Sequence, residues 1–138
     1  MKILLAVLLT GCLAVSPISA FATDAPQERV EHYAAAAPAN ATQALELVRV
    51  KVADIATLLT RETLTGKDLE AIHEISYALE AAVDTLRSRQ NATQKTALDA
   101  LDEAVQAIHY ASEEHDETKT RQWFAALRPA ATQVFDVF

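Results

Sequence analysis

The stretch "NATQKTALDALDEAVQAIHYASEEHDE", from Asn91 to Glu117, holds one complete unit of this chain's architecture. It opens on a helix-start signal. The Asn91 side chain can accept a hydrogen bond from a first-turn N–H, and Gln94, at the third helical position, can reach back to it. The apolar positions then step by three and four: Leu98, Leu101, Val105 and Ile108, continued by Ser112 and His115. Such a row is one buried stripe of an α-helix. The stretch closes on Asp116, with Thr118 just beyond, and either can cap a following helix.

The unit repeats along the chain. "NATQ" also stands at Asn40 to Gln43, and "TGKD" at Thr65 to Asp68 pairs a Thr cap with an Asp at the third helical position. The starts fall at 40, 65, 91 and 116, spaced by 25 or 26 residues. Each segment carries its own stripe. Leu45, Val48, Val52, Ile55 and Leu59 form the first. Leu69, Ile72, Ser76, Leu79, Val83 and Leu86 form the second. Phe124, Leu127, Ala131, Val134 and Phe138 form the last. Beyond residue 22 the only glycine is Gly66, which suits a helical chain. Helices of about 22 residues are about 33 Å long, and short turns make neighbours antiparallel. The expected fold is all-α: an up-down-up-down antiparallel four-helix bundle over residues 40–138. Pro129 should kink or split the last helix. The two Asn-x-Thr tripeptides match a glycosylation pattern, but capping accounts for both.

The N-terminus carries an address. Lys2 is followed by an apolar run from Ile3 to Val15, then Pro17 and the small-x-small "AFA" at Ala20 to Ala22. This is the pattern of a secretory signal peptide over 1–22, cut after Ala22. Residues 23–39 then form an extended leader. Export places the protein in the periplasm. The minor alternative is a lipoprotein anchored at Cys12, because "LTGC" at Leu9 to Cys12 fits a lipobox. Removing 22 residues from 138 leaves 116 and takes away the only cysteine, so stability must come from the core alone. It also leaves 11 basic against 19 acidic residues. That balance argues against nucleic acid and anionic membrane surfaces as partners. No remaining apolar run is long enough to span a membrane.

Chemistry-bearing residues gather in two matching stretches, "AIHEISYALE" (71–80) and "AIHYASEEHDE" (107–117). In a hairpin turning near Asn91, residues whose numbers sum to about 182 lie level, and His73 and His109 do so. Glu113 is one turn after His109, and His115 falls near the helix end. His73, His109, Glu113 and His115 are therefore the candidate metal ligands, for Zn²⁺ or Cu²⁺. The Glu-x-x-His motifs of di-metal bundles are missing from the inward faces. The plainer reading, and the one favoured, is that His73 and His109 are boundary residues bonded to nearby carboxylates, with His115 on the last carbonyls of its helix. Haem attachment lacks its Cys-x-x-Cys-His motif and a Met ligand. Ser76 and Ser112 each follow a histidine by three residues, but helical serines bond back to their own backbone. No catalytic motif stands out, and no catalytic residue is expected.

"ERVEHY" (28–33), "IHEISYALE" (72–80) and "IHYASEEHD" (108–116) together resemble a group of small exported proteobacterial proteins known only as a domain of unknown function. The resemblance implies a periplasmic helical protein and brings no activity, cofactor or site residue with it. In plan the chain is also similar to cytochrome b562-like bundles, without their Met ligand. The leading expectation is a non-enzymatic structural or stress-related interaction module, binding a protein partner or itself. It rests on the missing chemistry and on Leu47, Val50 and Leu58, apolar residues away from the first stripe. The alternative is a Zn- or Cu-binding protein.

Overall fold

The computed structural model describes residues 35–138. They form four α-helices: α1 (Ala41–Leu58), α2 (Gly66–Arg87), α3 (Ala92–Glu113) and α4 (Glu117–Val137). There is no strand among the described residues. The signal peptide, its cleavage after Ala22, the Cys12 anchor and the leader up to residue 34 lie outside them. Residues 35–38, the last part of that leader, are non-helical.

Each helix starts where a short polar side chain can hold it. Asn40 accepts from Gln43 N, Thr65 from Asp68 N, Asn91 from Thr93 N and Gln94 N, and Asp116 from Lys119 N. Thr65–Asp68 and Asn91–Gln94 close reciprocal capping boxes. Of the two expected caps for α4, Asp116 is the one used.

The stripes meet in one core. Ile72, Leu79, Val83 and Leu86 of α2 pack with Leu98, Leu101, Val105 and Ile108 of α3, Val48 and Ile55 of α1, and Leu127 and Val134 of α4. Neighbours in sequence pack together, and α4 returns to α1, a cycle consistent with a bundle. The expected α1 stripe is shifted. Ala44, Val48 and Ile55 are fully buried, whereas Leu45, Val52 and Leu59 are only partly covered.

Three features of the helices and their connections depart from simple periodicity. First, α3 stops at Glu113, and His115 takes a left-handed backbone (φ 56°). His115 N donates to Ser112 O and Asp116 N to Ala111 O, the paired bonds of a Schellman turn. Second, α4 is not split. It runs from Glu117 to Val137 straight through Pro129, whose missing N–H deprives the Ala125 carbonyl of its helical donor. Third, the α1–α2 loop is held from a distance. Arg121 of α4 donates Nη1 to Leu59 O (2.8 Å) and Nη2 to Arg61 O (2.7 Å) and Glu62 O (3.3 Å), while Nε bonds Glu117 Oε1 (2.9 Å).

Candidate metal centre

α2 places His73, Tyr77 and Glu80 on one face, one and two turns apart, and α3 sets His109 against them. All four are buried; His73, Glu80 and His109 are 5%, 5% and 4% exposed. The His73 and His109 rings stand edge to face with centroids 4.8 Å apart. Tyr77 packs on both, at 5.1 Å from His73 and 4.7 Å from His109. Tyr110, the next residue along α3, stands 5.4 Å from His109. The result is a small aromatic box with ionisable groups inside a helical seam.

Polar contacts fix the box. His109 Nδ1 lies 3.0 Å from Glu80 Oε1, off the straight hydrogen-bond line, so a small rotation of either side chain aligns the pair. A buried carboxylate requires such a partner, since desolvation of an isolated charge is costly. A proton on Nδ1, towards Glu80, would leave the His109 Nε2 lone pair for a ligand. Nε2 is 4.0 Å from Glu113 Oε2. His73 Nδ1 is 3.9 Å from Glu70 Oε1. Ser76 Oγ donates to His73 O (2.6 Å) and Ser112 Oγ to Ile108 O and His109 O (2.8 Å each), so both serine hydroxyls serve their own backbone.

Of the four ligands expected from sequence, three come together. One donor atom each from His73, His109 and Glu113 lies within 4.8 Å of the others. Tetrahedral bonds of about 2.0–2.2 Å space ligand atoms by about 3.3–3.6 Å, so an ion would draw these groups inward by about 1 Å. Glu113 is exposed and free to swing. His115 is not in the group. It stands exposed at the α3–α4 corner, and a Cβ on Gly66 would lie 3.7 Å from its ring. The apolar stripe pointed inward at 115, but the left-handed turn after Glu113 ends the helical register. Glu80 stands one heptad after His73, at the end of the stretch 71–80, but its pairing with His109 cannot be read from spacing, because it depends on how the two helices are offset.

The chain belongs to the family of unknown function DUF6746, whose model matches residues 1–132. Searches of curated proteins and of solved structures return no match. No helix among the described residues is long and apolar enough to cross a membrane.

Proposed function

We propose that this chain is an exported, non-enzymatic four-helix bundle of up-down-up-down order that binds Zn²⁺ or Cu²⁺ through His73, His109 and Glu113. It reaches the periplasm after cleavage behind Ala22. The observation that carries the reading is the meeting of two buried imidazoles and one carboxylate across the α2–α3 seam. Two nitrogens and one oxygen are donors that both ions accept. The buried Glu80 behind His109 is the outer-shell carboxylate that commonly orients a ligating imidazole. The interaction-module reading loses part of its basis. Leu47 and Leu58 pack against the core, leaving Val50 as the exposed large apolar residue among the described residues, at 42%.

Calorimetric titration with each ion tests the proposal. The protein should bind one equivalent at micromolar or tighter Kd, and His109→Ala should lose that binding. Glu80→Gln should weaken it by roughly 10- to 100-fold, the usual effect of removing an outer-shell partner. Weak binding of equal strength by protein and variants would return the histidines to a purely structural role.

A further inference from the structure

The seam between α1 and α4 is clasped by an arginine at each end and open between. At one end Arg121 Nη1 donates to Leu59 O at 2.8 Å. At the other the Arg49 guanidinium lies over the Phe135 ring, 4.6 Å from its centroid. Between the clasps runs a trough of about 790 Å³, walled by α1 from Arg49 to Ala56 and by α4 from Phe124 to Phe135. Small-molecule sites commonly measure about 300–1,000 Å³.

The trough is apolar with a charged margin. Phe124 and Ala131 are buried at its base, Val52 and Phe135 are half-buried along it, and Ala53 and Ala125 are exposed on its two walls. Arg49 directs Nε to Glu46 Oε2 at 3.5 Å. The Arg128 guanidinium, on the α4 wall, has no carboxylate within 4.0 Å among the described residues. In a chain of net charge −7, an unpaired cation beside an apolar trough is complementary to a ligand with an anionic head and an apolar body.

Shape selects among such ligands. A peptide strand would bury N–H and C=O groups that need partners. Helical walls offer few, because their backbone groups bond within each helix. A second helix, about 10 Å across, would ride on the rim of a trough between two neighbours. An alkyl chain needs no partner and gains from every methylene it buries. From Phe124 to Phe135 α4 advances eleven residues, about 16 Å. Zigzag bonds of about 1.5 Å advance about 1.3 Å each, so about a dozen carbons cover that length. At the head, a carboxylate presents two oxygens to the planar fork of an arginine.

We propose that the α1–α4 trough binds a free fatty acid of medium chain length, with the alkyl chain over Val52, Phe124 and Phe135 and the carboxylate on the Arg128 guanidinium. Arg49, flat on Phe135, closes one end. The site lies on a different seam from His73 and His109, and the inference does not depend on the metal reading.

The test uses the purified protein, stripped of lipid, and its Arg128→Gln and Ala125→Phe variants. Hexanoate, octanoate, decanoate and dodecanoate, kept below their micelle concentrations, are titrated by calorimetry beside decanol. Circular dichroism checks that each variant is folded; both substitutions are at exposed helical positions. We expect one saturable site whose affinity rises about two- to fourfold per added methylene. Decanol should bind at least tenfold more weakly than decanoate. Arg128→Gln should erase that difference while leaving decanol binding in place, and Ala125→Phe, whose ring fills the trough, should weaken both ligands at least tenfold. Equal affinity for decanoate and decanol, or decanoate binding untouched by either substitution, would overturn the proposal. Binding of a synthetic acidic amphipathic helix with none of decanoate would also overturn it and assign the trough to a protein partner.

Discussion

At Thr65 two side chains and one backbone corner close on each other. Asp68 accepts from Thr65 Oγ1 (2.7 Å) and Thr65 N (2.8 Å), and Arg61 pairs with its other oxygen. The Thr65 hydroxyl and N–H, and then the Arg61 charge, hold the Asp68 carboxyl below its ordinary 3.8. A carboxyl lowered by folding contributes stability that is fully present above 3.8 and is lost as pH falls through the folded value. Asp68→Asn should therefore destabilise the protein at pH 6, and the gap from wild type should narrow at pH 3, as read by urea unfolding. Thr65→Ala should cost about 1 kcal/mol, the usual loss of an N-cap. His115 poses the opposite case. A non-glycine residue in the left-handed region is strained, so His115→Gly should raise stability by about 0.5–1 kcal/mol. It should leave Zn²⁺ affinity unchanged, and a tenfold loss would mean that His115 reaches the site after all. The pairing of His73 with His109 was legible because a hairpin fixes height. The position of His115 was not, because the usual mark of a left-handed helix end is glycine and this end has none.

Among the elements, α4 is the one that works against its own sequence. Pro129 sits in its interior and frees the Ala125 carbonyl, yet the helix continues because Leu127, Ala130, Ala131 and Val134 are buried on both sides of it. Pro129→Ala should therefore stabilise by about 1–2 kcal/mol in denaturant unfolding, less than the ~3 kcal/mol of an isolated helix since the packing is already adapted to proline. A loss of stability instead would show that the core needs the proline geometry. Helix starts were read correctly at 40, 65, 91 and 116 because caps act within four residues. The end of α1 was harder to see. Its stripe reaches Leu59, but the helix proper ends at Leu58, and the carbonyls beyond it are satisfied by Arg121, some sixty residues away. Nothing local announces a cap of that kind.

For the whole molecule, the metal binding proposed above would be coupled to folding. An ion that binds only the folded chain adds about 2.7 kcal/mol at a hundred times its Kd, or roughly 10–20 °C in Tm for a domain of this size. Thermal unfolding with Zn²⁺ and then with a chelator should show that rise and its reversal; a Tm indifferent to both would count against a built site. The all-helical class was legible from composition and stripe spacing, since burying four stripes together leaves few arrangements. The seam that receives the histidines depended on helix offset, which side-chain packing decides.

One contact carries a consequence for how the protein meets proteases. Arg61–Glu62 is a peptide bond that trypsin recognises, and its own carbonyl is held by Arg121 Nη2 at 2.7 Å. We expect that bond to be cut slowly while this contact holds and faster once α4 lifts. The cut at Arg61 is thus a clock for the opening of the last helix, with no label needed. Arg121→Gln should quicken it by about tenfold without disturbing cleavage at Arg89, given that opening precedes cutting.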